Sequence, residues 1–195
     1  MTRKGILFVI SGPSGVGKGT VREALLKVRD DIEVSVSATT RPPRPGEIDG
    51  VDYFFIDRET FMKRVKENQF LEWANVYSNY YGTPREFVLN HLKNGRDVLL
   101  EIDIQGALQV KQKMPEGVFI FLSPPSIEDL AKRLCQRGKD SQESIEERLA
   151  ACTQEMEQMI YYDYVVVNDQ VENAVTKVNA IITAERCRIK NLELG

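Results

Sequence analysis

Nine consecutive residues, Gly12-Pro13-Ser14-Gly15-Val16-Gly17-Lys18-Gly19-Thr20, carry the strongest chemical signal in the chain. They match the phosphate-loop pattern G-x-x-x-x-G-K and depart from it only at Gly19, where a Ser or Thr is expected. Glycines let backbone N–H groups turn inward around a phosphate without obstruction by a Cβ. The helix that follows adds the partial positive charge of its N-terminus, and Lys18 supplies a point charge for the distal phosphates. The alternative is a glycine-rich turn with no ligand, but the spacing, the lysine and the flanking elements all point the same way. The loop thus predicts binding of a nucleoside triphosphate, with Gly12 through Thr20 as its contacts.

A second group of residues suits anions. Arg41 and Arg44 lie in Thr39-Thr40-Arg41-Pro42-Pro43-Arg44-Pro45-Gly46-Glu47, where proline stiffens the backbone and two guanidinium forks suit one phosphate dianion. The same stretch also reads as a solvated loop, or as a Pro-x-x-Pro ligand running from Pro42 to Pro45. Val98-Leu99-Leu100-Glu101-Ile102-Asp103 is an apolar strand ending in acids, which can hold Mg²⁺ directly or through water, or cap the next helix. Asp103 and Gly106 also spell D-x-x-G, but no N-K-x-D guanine motif accompanies them. Arg133 and Arg137 are four apart, hence on one helical face, and with Arg148 they can close over a triphosphate or form a solvated charged face. His91, the single histidine, sits in an amphipathic stretch that reads as surface or packing.

These residues need a scaffold. Ile6–Ile10, Asp97–Ile102, Val118–Leu122 and Tyr164–Val167 are short apolar runs that read as buried parallel strands. Helical patterns follow each: Val21, Leu25 and Val28 after the loop, then Gln105–Met114, Ser126–Arg137 (opened by a Ser126/Asp129 capping signature) and Val171–Ala184. Strand–helix alternation predicts an α/β core with a parallel sheet flanked by helices. Residues 34–96 break the rhythm and read as an inserted, small mixed α+β unit facing the loop. Residues 138–158 hold a further helix, with Ile145, Leu149, Cys152, Met156 and Met159 on its core face and a hinge at Gly138. At 195 residues and 42% hydrophobic, the chain suits one such domain. The net charge of −3 argues against nucleic acid or a membrane surface as main partner. The basic start Met1-Thr2-Arg3-Lys4 precedes too short an apolar run for a signal peptide, and three cysteines without metal-like spacing read as reduced thiols in a cytoplasmic protein. A monomer or homodimer is expected.

Taken together, the chain resembles the guanylate kinases. The matching stretches are the phosphate loop, Ser35 to Glu47, Gly50 to Phe55, Phe70 to Ala74, Asn79 to Thr83, Glu101 to Gly106, Pro124 to Ser126, Arg133 to Gly138 and Val167 to Asp169, in family order along nearly the whole chain. The resemblance implies a core (1–33, 97–125 and 159–195), a GMP-binding subdomain (34–96) and a helical lid (about 126–158). It implies the reaction ATP + GMP ⇌ ADP + GDP with Mg²⁺. It further implies Arg41, Arg44, Tyr53 and Tyr81 on the GMP phosphate, and Ser37, Glu72, Thr83 and Asp103 near the guanine and its sugar. Lys18, Arg41, Arg133, Arg137 and Arg148 fall around the transferred phosphoryl, and Asn168 near the adenine. Mg²⁺ is expected mainly on phosphates and water, near Thr20, Glu101 and Asp103. Two other readings stay open at this point: a non-catalytic guanylate-kinase-like binding module, and an adenylate kinase, whose loop also ends Gly-Lys-Gly-Thr. The chemistry favours GMP. A carboxylate such as Glu72 accepts both N1–H and N2–H of guanine and faces a bare acceptor on adenine, a polarity mismatch worth roughly 10⁴–10⁵ in discrimination. The acceptor phosphate is already a nucleophile, so no general base is needed.

Overall fold

A computed structural model describes residues 2–76, 78–130 and 152–193. The core is a parallel sheet built from β2 (Leu7–Ser11), β3 (Ile32–Val34), β8 (Asp97–Glu101), β9 (Val118–Ser123) and β10 (Tyr164–Val167), in the spatial order β10-β9-β2-β8-β3. Every residue of β2 and β9 is buried, as apolar strands covered on both faces must be. On one face, α1 (Lys18–Val28) and α5 (Val171–Arg186) pack Val21, Leu25, Val178 and Ile182 against Phe8, Ile10, Ile120 and Leu122. On the other, α3 (Arg85–Lys93) and α4 (Ile104–Lys113) set Val88, Ala107 and Val110 against Leu7, Val9, Leu100 and Phe119. Leu25 is fully buried, so truncation to Ala costs about 2–5 kcal/mol.

The four expected core strands fall within one residue of their predicted bounds, and β3 joins them as a fifth at the sheet edge, Val34 pairing with Leu99. Two details differ from expectation. Val28, the last residue of α1, is 63% exposed rather than part of the apolar face of Val21 and Leu25. Met159 belongs to a 3-10 turn, Gln158–Tyr161, rather than to the helical stripe of Cys152 and Met156, which pack with Leu130. The Ser126 cap is present: its Oγ accepts from the Asp129 amide at 3.1 Å.

A second sheet stands apart from the first. It comprises β4 (Ala38–Thr39), β5 (Phe54–Phe55), β6 (Phe70–Val76) and β7 (Asn79–Pro84) in the order β5-β4-β7-β6, with β7 antiparallel to both neighbours. It has a small core of its own, where Phe61 of α2 (Arg58–Lys66) stacks on Phe70 at 4.6 Å and on Tyr80 at 5.5 Å between ring centroids. Asp57 caps α2 by accepting from the Thr60 amide at 2.7 Å. At the end of the core sheet opposite the phosphate loop, where β8 begins, the buried Asp97 carboxylate accepts from the Ile6 amide (2.8 Å), from Arg186 Nε (2.7 Å) and from Arg3. These partners compensate its loss of water. Beside it, β1 (Thr2–Arg3) pairs antiparallel with β11 (Leu192–Glu193). Among the described residues, no helix is long and apolar enough to cross a membrane.

Candidate active site

The phosphate loop leaves the sheet at the carboxyl end of its central strand, β2, and enters α1. Gly12 has φ +151, and a Cβ there would stand 2.1 Å from the Leu122 carbonyl oxygen of β9, so only glycine lets the loop pass. Gly15 (φ +84) and Gly17 (φ +96) hold left-handed conformations, and Gly17 is the N-cap of α1. The loop closes on itself through Val16 N–H to Pro13 O at 3.2 Å. Lys18 curls back, its Nζ donating to the carbonyls of Gly12 (2.7 Å) and Pro13 (3.2 Å). Loss of water lowers the pKa of this ammonium, and the carboxylates of Glu101, Glu155 and Asp103 oppose that shift. Glu155 is raised by burial and drawn the other way by Lys18 and the Ser14 amide, which places it beside the loop. A pocket of about 300 Å³ opens here, lined by Gly15, Gly17, Lys18, Gly19, Thr20, Glu23 and Glu101.

Asn168 follows β10 and braces the loop from beneath. Its Nδ2 donates to the Val16 carbonyl at 2.8 Å, and its own amide donates to Ser123 O at 2.8 Å. At Gly19 a Cβ would sit 3.6 Å from Glu101 Oε1, an ordinary contact, so the space for a side chain exists and Glu101 faces it. Arg22, one turn into α1 from Lys18, pairs with Glu101 at 3.2 Å. The oxygens of Glu101 beside the glycine loop are hard donors of the kind Mg²⁺ takes.

On the second sheet, Arg41 emerges just after β4. Glu47 grips it with two parallel bonds, of 2.9 and 2.8 Å, and also accepts from the Arg44 amide at 2.6 Å. This pairing raises the Arg41 pKa and lowers that of Glu47, the Arg41 hydrogen bond being the main cause of the latter. The Arg41 guanidinium also lies 5.5 Å from the Tyr53 ring centroid and 5.8 Å from that of Phe55. Tyr53 meets Tyr81 edge to face at 5.9 Å. Burial raises the Tyr53 pKa, helped by Glu101 and Tyr81 and opposed by Arg41 and Arg22, so this phenol senses charges from both sheets. Arg44 lends its backbone to the cluster and holds its side chain exposed.

Glu72 and Thr83 face each other in the β6–β7 register. Glu72 is 3% exposed and Thr83 fully buried, and the Thr83 hydroxyl donates to Glu72 Oε1 at 2.6 Å. Burial pushes the Glu72 pKa up to about 7, with Asp103 adding to the rise and Thr83 and Lys113 opposing it. Asp103 caps α4, accepting from the Gly106 amide at 2.7 Å. Ser37 is half-buried at the entry to β4, its carbonyl accepting from the Phe54 amide at 2.9 Å.

The structure therefore gathers Lys18 and the loop with Asn168, Arg41 with Tyr53 and Tyr81, and Glu72 with Thr83, Asp103 nearby. Arg133, Arg137 and Arg148 lie outside the described residues. Glu47, Arg22 and Glu155 have no place in the reading of motifs, although Glu47 stands inside a quoted one. A carboxylate six residues from an arginine across a proline-rich turn was the available signal.

Comparison with known proteins identifies the family. The guanylate kinase family model matches residues 4–185. A guanylate kinase of Syntrophomonas wolfei is 65% identical over 194 residues, covering 100% of both chains. One from Oceanobacillus iheyensis is 56% identical over 185 residues, covering 95% of this chain and 90% of its own length. The crystal structure of guanylate kinase from Anaplasma phagocytophilum superimposes with a TM-score of 0.83 at 34% identity, covering 97% of this chain and 90% of that one. With the family model spanning residues 4–185 and a relative 65% identical over the whole of both chains, the chain belongs to the guanylate kinase family.

Proposed function

We propose that the chain carries out ATP + GMP ⇌ ADP + GDP, the reaction of its family, with a division of labour between its two larger sheets. The observation that carries this reading is the buried Glu72–Thr83 pair: a carboxylate sequestered from water and held by one hydroxyl presents an acceptor edge to a ligand with adjacent N–H donors. Guanine is such a ligand and adenine is not. In this assignment Glu72 accepts from guanine N1–H and N2–H, Thr83 and Ser37 contact O6, and Asp103 adds a second acceptor. Arg41, Arg44, Tyr53 and Tyr81 hold the GMP phosphate. Gly12 through Thr20 bind the ATP phosphates, and Asn168 supports them through Val16.

Lys18 exchanges the Gly12 and Pro13 carbonyls for phosphate oxygens as ATP enters. Arg133, Arg137 and Arg148 belong to a proposed lid over about 126–158 that excludes water when it closes. The units 34–96 and 1–33, 97–125, 159–195 act as acceptor subdomain and core in the same proposal, with Val34 and α3 of the first lying against the core sheet. Mg²⁺ would be held by phosphates and water, with Glu101, Thr20 and Asp103 behind them, and would neutralise charge on the β- and γ-phosphates. The acceptor phosphate attacks in line, so the chain supplies alignment and charge rather than a base.

A coupled assay of ADP release with GMP, AMP, UMP and CMP tests the reading. Turnover with GMP at least ~10³-fold above AMP is expected from polar mismatch at the base. Equal rates with AMP would remove the Glu72 argument and return the adenylate kinase alternative.

A further inference from the structure

Glu72 sits where it does because one face of α4 holds the strand that carries it. Phe70 pairs with Pro84 and Glu72 with Thr83, so Leu71 is an extra residue on β6, a bulge that re-aims the next side chain. The Leu71 carbonyl accepts from Lys113 Nζ at 2.6 Å. On the other side of Glu72, Gln109 binds the outer edge of β6 as a neighbouring strand would. Its Nε2 donates to Trp73 O at 2.8 Å and its Oε1 accepts from Trp73 N at 3.4 Å. Between these clips the Glu72 carboxylate rests on the α4 backbone at Gly106. A Cβ at Gly106 would come within 2.6 Å of Glu72 Oε2 and 3.0 Å of its Cδ. Gly106, Gln109 and Lys113 are spaced three and four apart, one stripe of a helix, and they meet residues 72, 73 and 71 respectively.

We propose that this stripe of α4 is a positioning platform for guanine recognition: Gly106 sets how deep the Glu72 carboxylate lies, and Gln109 and Lys113 fix the bulged strand that aims it. The inference rests on the reading of Glu72 as the guanine acceptor. Buried carboxylates have little slack, and a displacement of about 1 Å costs up to 10²-fold in a reaction that depends on alignment. A methyl group at position 106 must push the carboxylate out of its seat or push the helix off the strand. Either movement tilts the acceptor edge away from N1–H and N2–H while the phosphate loop stays untouched.

The test is steady-state kinetics of the full chain with GMP and with IMP, which lacks the exocyclic amine, at varied ATP, for Gly106→Ala, Gln109→Ala, Lys113→Met and Glu72→Ala. Gly106→Ala should raise KM for GMP by roughly 10–100-fold, leave KM for ATP unchanged and lower the GMP-to-IMP preference toward that of Glu72→Ala. Gln109→Ala and Lys113→Met should move the same ratio by a smaller factor, about 3–10-fold, and they carry the test if Gly106→Ala does not fold. Glu72→Asp withdraws the carboxylate by one methylene, so placed on Gly106→Ala it should restore part of the lost GMP activity, a non-additivity that mere destabilisation does not produce. An unchanged GMP-to-IMP ratio in the α4 variants, with only a lower thermal midpoint, overturns the platform. An unchanged ratio in Glu72→Ala overturns the guanine reading beneath it, a separate result.

Discussion

In the proposed assignment the phosphate loop and the acceptor sheet each hold a phosphorylated nucleotide, and they do so with different parts of the chain. The loop works with backbone. Its shape depends on Gly12, Gly15 and Gly17, its closing bond is Val16 to Pro13, and its one charged group is Lys18. The proposed acceptor site works with side chains: Arg41 fixed by Glu47, Tyr53 against Tyr81, Glu72 against Thr83. Backbone amides recognise any phosphate and read no base. Side chains on a small sheet read a base, but each must be aimed by a neighbour. Chemistry common to all nucleotides therefore sits on a continuous stretch of sequence, and chemistry particular to one nucleotide is assembled from scattered residues.

Substitutions can break this comparison. Lys18→Met removes the only charged donor of the loop and should lower kcat by about 10²–10³-fold with GMP and with every other acceptor alike, checked by single-turnover rates. Selective loss with one acceptor would show that the loop also discriminates. Glu72→Gln keeps the shape but replaces one acceptor oxygen by a donor, and should cost about 10²-fold in kcat/KM for GMP while ATP affinity holds, read by titration with ATP alone.

The same residue gives a stability prediction. The Glu72 pKa is about 7 in the fold and near 4.5 in the unfolded chain, so between those values the folded state binds more protons. Stability contributed by this group is full below about pH 4.5 and is lost as pH rises through about 7, by about 3 kcal/mol in total. Denaturant midpoints of Glu72→Gln should fall less steeply than those of the parent chain across that window. Parallel slopes would place Glu72 in a wetter setting than the fold gives it.

Glu47→Gln, which loosens Arg41, should raise KM for GMP by about ten-fold with no change for ATP. Smallest of all, Gly19→Ser fits the space beside Glu101 and should lower KM for Mg-ATP by only about 2–3-fold, the gain of one hydroxyl near the proposed Mg²⁺ position.

The parallel strands were legible because continuous apolar runs such as Val118–Leu122 have few other fates, and the loop because its chemistry is contiguous. β3 was hidden: three residues, Ile32–Val34, are too few to show a period, and only pairing with β8 makes them a strand. Asp103 kept both of its expected roles open and is seen capping α4. Glu47, Gln109 and Lys113 were not legible as site residues, because charged and amide side chains on turns and helices mostly face water, and only the fold brings them to Arg41, Trp73 and Leu71. The resemblance named Glu72 and Thr83, but the bulge that aims Glu72 is a property of strand pairing and leaves no mark in composition.

The Asn168 amide that braces Val16 spans 152 positions of chain. On a ribosome the glycine loop emerges early and its brace emerges near the end, after β10. Until that strand docks, the motif is complete in letters and unsupported in shape. ATP then rewards only the finished sheet, and a fragment ending before Tyr164 should carry the whole phosphate-loop motif and bind nucleotide poorly.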